Sequence, residues 1–144
     1  MMDAPMPTDV VTTRRLKPSM WITRDAASMR LEQQRSGGWS EADIEAHQTS
    51  MRAVHNSLPR AGYFVQLPGT FHSNLMDVPN WTPLVSWLSL AGPVNAQRAH
   101  AIINAYSMAF FDRHLAARPA TLLDRPARQY SAVPFDSRAA PPPQ

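Results

Sequence analysis

The stretch from Tyr63 to Trp81 restricts the fold more than any other part of the chain. It opens with Tyr63-Phe-Val-Gln-Leu67, five residues of strand character. Pro68 and Gly69 then stop the strand, because proline has no amide donor and glycine accepts backbone angles that other residues avoid. His72 follows in the loop, and Asp77 comes five residues later. A short apolar strand that delivers a histidine into the loop at its C-terminal end suits an α/β enzyme, whose chemistry sits beyond the strand ends.

The elements before this stretch fit the same class. Ser19 to Thr23 reads as a second short strand, apolar enough to be buried on both faces as parallel strands usually are. Asp25 to Arg35 is helix-compatible and polar, and Gly37-Gly38 ends it. Ser40-Glu-Ala-Asp43 is a helix start: the serine caps free amides and the acids suit the positive end of the helix dipole. Ile44, Met51, Val54 and Leu58 share one face of the helix that follows, which Pro59 and Gly62 end. Two strands joined through helices of this length are expected to pair in parallel, with a right-handed crossover.

After His72 comes the apolar run Trp81 to Ala91, broken by Gly92-Pro93. A closing helix is expected from Asn95 to about Ala116. Ala99, Ile102, Ile103, Tyr106 and Phe110 form its core face, and Phe111 and Leu115 widen that stripe. Domain organisation follows: 1–118 as one α/β unit, and 119–144 as a Pro/Arg-rich tail, extended and poorly ordered from 124 onward.

Composition narrows the function. Charged residues make up 17% of 144, and the net charge of +3 comes from scattered arginines. No clustered basic face is present, so nucleic acid is not an expected partner. With no cysteine, thiolate catalysis, disulfides and Cys-ligated zinc are excluded. The apolar run after Trp81 is too short to span a bilayer, so no transmembrane segment is expected. His47 and His55 lie eight residues apart on one helix, too far to share a metal, and read as helix-surface residues. His100 and His114 read as residues at a helix border. No metal or cofactor is expected.

Gly69-Thr-Phe-His72-Ser-Asn-Leu-Met-Asp77-Val-Pro79, with Asn104-Ala-Tyr-Ser-Met-Ala-Phe-Phe-Asp-Arg-His-Leu115, resembles the C-terminal part of bacterial α/β-hydrolases related to platelet-activating-factor acetylhydrolase. The similarity runs from Asp3 to about Leu115. It implies a fold class of α/β, the C-terminal portion of an α/β-hydrolase fold: the last parallel strands with their flanking helices, the sheet being incomplete in this chain. It also implies a serine carboxylic-ester hydrolase with a Ser-Asp-His order along the chain and a small-molecule or lipid ester as substrate. Carried over by motif, His72 is the catalytic base. Asp3, in Met2-Asp3-Ala4, is the acid that orients it. Asp25, directly after a strand, is the rival acid. Asp77 is expected to turn the loop by accepting backbone amides. Trp81, Trp87 and Leu88 either line an acyl pocket, touch lipid or bury against the closing helix.

The departure from the family pattern is the nucleophile. No Gly-x-Ser-x-Gly pentapeptide occurs in the chain, and Arg35-Ser-Gly-Gly38 follows a helix rather than a strand. A full sheet of this type needs about 250 residues. The chain is therefore expected to be a portion of an esterase, from a truncated gene or an incomplete gene model. The competing expectation is a non-catalytic remnant that binds through apolar surface left uncovered.

Overall fold

A computed structural model of the chain describes residues 17–59, 61–77, 82 and 90–138. Asp3, Pro79, Trp81, Trp87 and Leu88 lie outside the described residues.

Three strands form one sheet in the order β1-β2-β3: β1 Ser19–Arg24, β2 Gly62–Leu67 and β3 Phe135–Arg138. β1 and β2 are parallel, in register from Ser19 opposite Gly62 to Arg24 opposite Leu67. A parallel pair needs a crossover, and two helices supply it: α1, Ala26–Ser36, and α2, Glu41–Ser57. Asp25 caps α1, accepting from the Ser28 amide at 2.9 Å, and Gly37, at φ 76°, ends it. Ser40 and Asp43 form a reciprocal capping box at the start of α2. After the His72 loop comes α3, Ala96–His114, capped by Asn95.

Side chains on β1 and β2 alternate between two apolar layers. Met20, Ile22, Tyr63, Val65 and Leu67 pack with Ile102, Ile103 and Tyr106 of α3. Trp21 and Phe64 point the other way, onto Met51, Val54 and Leu58 of the α2 side. With both faces covered, the strands read as nearly continuous apolar runs.

Outside the His72 loop, the structure differs from the sequence expectations in three places. The expected tail is folded as far as Arg138: β3 pairs antiparallel with β2, and Leu123 and Val133 join the α3-side core. A few apolar residues among the prolines suffice, because β2 offers a free edge and α3 an apolar face. Pro134 sits just before β3, where its missing donor costs nothing, and its carbonyl accepts from the Gln66 amide at 3.0 Å. Next, His47 and His55 are buried rather than on the helix surface. Both lie on the apolar face of α2 with Ile44, Met51 and Val54. The His47 Nε2 is 3.2 Å from the Thr23 hydroxyl, and the His55 ring packs edge-on against Trp21 and Phe64. Burial pushes the pKa of His55 down, the Asp136 carboxylate 3.9 Å away opposing this only in part. Last, Phe111 and Leu115 do not extend the core stripe. Both are exposed, Leu115 to 79%, and so is Met108. The apolar sheet face is narrow enough for Ile102, Ile103 and Tyr106 to cover it, with Phe110 only partly buried at its margin.

Candidate functional site

The C-terminal ends of β1 and β2 lie side by side, Arg24 opposite Leu67. From Leu67 the chain turns through Pro68 and Gly69, the latter at φ 76°, where a side chain would be strained. The Thr70 hydroxyl donates back to the Leu67 carbonyl at 2.7 Å, and Phe71 is fully buried. The buried Phe71 anchors the loop while the next residue, His72, is exposed. His72 opens a one-turn 3₁₀ helix, His72–Leu75, instead of lying in irregular loop. That short turn begins just beyond the C-terminal end of β2.

Asn74 holds this loop together. It is fully buried; its Oδ1 accepts from the Phe71 amide at 2.8 Å and the Gly92 amide at 2.7 Å, and its Nδ2 donates to the Val94 carbonyl at 3.3 Å. The Val94 amide in turn donates to the Gly69 carbonyl at 3.0 Å. Gly92 runs so close to the loop that a Cβ there would meet the Gly69 carbonyl oxygen and the Phe71 amide. The segment leading into α3 is thus laced to the segment bearing His72.

Two contacts reach the loop from α1. The Ser28 hydroxyl oxygen accepts from the Gly69 amide at 2.7 Å, and Glu32 Oε1 accepts from the His72 amide at 2.9 Å. Glu32 also pairs, through Oε2, with Arg24 at the end of β1.

Of the residues singled out in the sequence, Asp25 is engaged as the cap of α1. Asp77 is 71% exposed, with its carboxylate 3.8 Å from His100 Nδ1; the other ring nitrogen of His100 is 3.0 Å from the Met76 carbonyl. Among the described residues it is Asn74 that accepts a backbone amide of this loop, that of Phe71, together with the Gly92 amide of the segment leading into α3. Ser36, in the Arg35-Ser-Gly-Gly38 segment, ends α1 with its hydroxyl bonded to the Glu32 carbonyl at 3.0 Å, as a helix-terminal serine does. Beside the loop lies a small, mainly apolar cavity of about 60 Å³ between Leu67, Thr70, Val94, Ile102 and Val133, with Arg98 also lining it. His114 lies away from this edge, at the end of α3, its Nε2 3.0 Å from the Tyr63 hydroxyl. Burial, and then the neighbouring Arg113, hold its pKa down.

Ser28, Glu32 and Asn74 do not stand out in the sequence as residues of this site. Ser28 and Glu32 carried a signal, being one helical turn apart on a helix with almost no apolar face. Asn74 carried none beyond its place in a loop.

The chain matches no family model and no curated protein. Among solved structures it is similar to the ferulic acid esterase from Streptomyces cinnamoneus, with a TM-score of 0.62 and 25% identity over 93% of this chain. The match covers 38% of that esterase, so the chain spans well under half its length. This likeness supports a relationship to ester hydrolases. Among the described residues no helix is long and apolar enough to cross a membrane.

Proposed function

We propose that this chain is the base-carrying, C-terminal portion of a serine carboxylic-ester hydrolase of the α/β-hydrolase type, akin to the platelet-activating-factor acetylhydrolase-like esterases. The observation that carries this reading is an exposed histidine just past the end of β2, in a parallel pair whose surrounding fold is similar to that of an esterase. His72 is the general base. It takes the proton of a serine hydroxyl as that oxygen attacks the ester carbonyl, then gives the proton to the departing alcohol oxygen. In the second half it takes a proton from water, whose oxygen attacks the acyl-enzyme; the acid leaves and the proton returns to the serine. Asp3 accepts a hydrogen bond from the other ring nitrogen and fixes the tautomer. The substrate is a small-molecule or lipid ester.

The serine is supplied from outside these 144 residues, since the sequence holds no Gly-x-Ser-x-Gly turn. A base without a positioned nucleophile has nothing to activate. The purified chain is therefore expected to hydrolyse 4-nitrophenyl acetate no faster than its His72→Ala variant and to take up no serine-directed fluorophosphonate. His72-dependent turnover with a labelled serine inside the chain would overturn the assignment of the nucleophile.

A second reading, a non-catalytic interaction module, draws on the exposed apolar residues Met108, Phe111 and Leu115 along one side of α3. The reading frame upstream of Met1 separates the two: an in-frame Gly-x-Ser-x-Gly supports the esterase, and a stop codon supports the module.

A further inference from the structure

Helix α1 is unusual in how it docks. Its buried residues are Ser28 and Met29 alone, so apolar burial gives it little reason to sit where it does. Apart from the buried Met29, what it presents to the His72 loop is polar and regularly spaced. Ser28, Glu32 and Arg35 stand at i, i+4 and i+7, which places them on one face. All three meet the loop that carries His72. Ser28 accepts from the Gly69 amide, Glu32 accepts from the His72 amide, and the Arg35 guanidinium lies 5.6 Å from the Phe71 ring centroid.

Glu32 is itself held. Its second carboxylate oxygen pairs with Arg24, whose side chain is 0% exposed, while Glu32 is 14% exposed. A guanidinium taken wholly out of water is costly unless a carboxylate meets it, so the position of Glu32 is tied to the end of β1. A hydrogen bond from an amide to an ionised carboxylate is roughly twice as strong as one between neutral groups. The chain of contacts therefore runs from the end of one strand, through Arg24 and Glu32, to the main chain of the histidine beyond the end of the other.

We propose that α1 is a clamp on the 69–72 loop and that Glu32, seated by Arg24, is the positioning residue for His72. Helix-to-sheet adhesion alone would need no acceptor aimed at the one amide that belongs to the histidine, 40 residues away in sequence. The proposal rests on the reading of His72 as the base only for its purpose. The clamp itself is a statement about backbone amides and can be tested whether or not an ester is ever cleaved.

The test is amide hydrogen exchange by NMR on the isotope-labelled 144-residue chain, with the His72 side-chain torsion read from its three-bond couplings. In the wild type the His72 amide is protected and the imidazole occupies one χ1 rotamer. Glu32→Ala speeds exchange at His72 by at least about ten-fold and lets the ring average among rotamers, while Phe64 and Val65 in β2 keep their protection. Glu32→Gln, which retains a carbonyl acceptor, restores a single rotamer. Unchanged exchange at His72 in Glu32→Ala, or a ring that already averages in the wild type, overturns the proposal. Should Glu32→Ala lose protection throughout the sheet, Ser28→Ala decides, because it removes only the Gly69 acceptor. Faster exchange confined to residues 69–72 supports the clamp; no change, or loss spread over the sheet, overturns it.

Discussion

Asn74→Ala is the substitution whose cost follows most directly from the geometry. The wild-type side chain accepts two backbone amides and donates to one carbonyl from a fully buried position. Alanine leaves the Phe71 amide without its acceptor beneath a fully buried ring, at about 1–3 kcal/mol for an orphaned buried donor. Gly92 is only half-buried, so water can replace the lost acceptor there at about 0.5–1.5 kcal/mol, the net worth of an ordinary hydrogen bond. The expected total is about 1.5–4.5 kcal/mol, a large part of the roughly 5–15 kcal/mol that a domain has in all. Guanidinium denaturation followed by circular dichroism measures it, and the midpoint should fall at unchanged slope, since the surface exposed on unfolding is the same. A loss below about 0.5 kcal/mol, the range of an uninvolved surface site, would refute the view that Asn74 ties the loop to the α3 entry.

The remaining expectations concern the loop, the core and pH. Gly92→Ala places a Cβ against the Gly69 carbonyl and 2.8 Å from the Phe71 amide, atoms of backbone that cannot swing away; denaturation should show a loss of about 1–3 kcal/mol or more, and a neutral result would mean the approach is not that close. Ile102→Ala should cost about 2–5 kcal/mol, and Phe110→Ala, at the margin of the core, less than the 3–5 kcal/mol of a fully buried Phe; the reverse order in the same assay would place Phe110 inside. His55 is held below its ordinary value of 6.5 by burial, so the unfolded chain takes up a proton that the folded chain resists. Its contribution is complete above about pH 6.5 and is lost as the pH falls through the folded-state value. The drop in stability between pH 7.5 and 5.5 should therefore shrink in His55→Leu, and an undiminished drop would show that His55 does not carry it.

The parts of the fold that were legible were those fixed by local chemistry. Tyr63 to Leu67 announces a strand by its residue types and its Pro68-Gly69 stop, and Ser40 with Asp43 announces a helix start through a capping box. Parallel pairing followed from the helices between the strands. What stayed hidden depended on contacts distant in sequence. β3 is four residues of modest strand character, ordered by the free edge of β2 and by Arg52 pairing with Asp136 at 3.0 Å. His47 and His55 share the heptad-like spacing of the apolar face, yet their polarity alone pointed outward. Phe111 and Leu115 continue an apolar pattern that the sheet is too narrow to cover. At the candidate site, His72 stood out from its motif, whereas Glu32 and Asn74 act through bonds spanning 40 and 18 residues that no local pattern records.

The claim at the centre of this account is that His72 is the base of a serine ester hydrolase. The most direct measurement is ester turnover by the 144-residue chain mixed with, or fused behind, a segment bearing a Gly-x-Ser-x-Gly turn, compared with the same protein carrying His72→Ala. Serine-dependent turnover should fall by about 100-fold or more without the imidazole, the range for loss of a general base. Turnover unchanged in His72→Ala would contradict the claim.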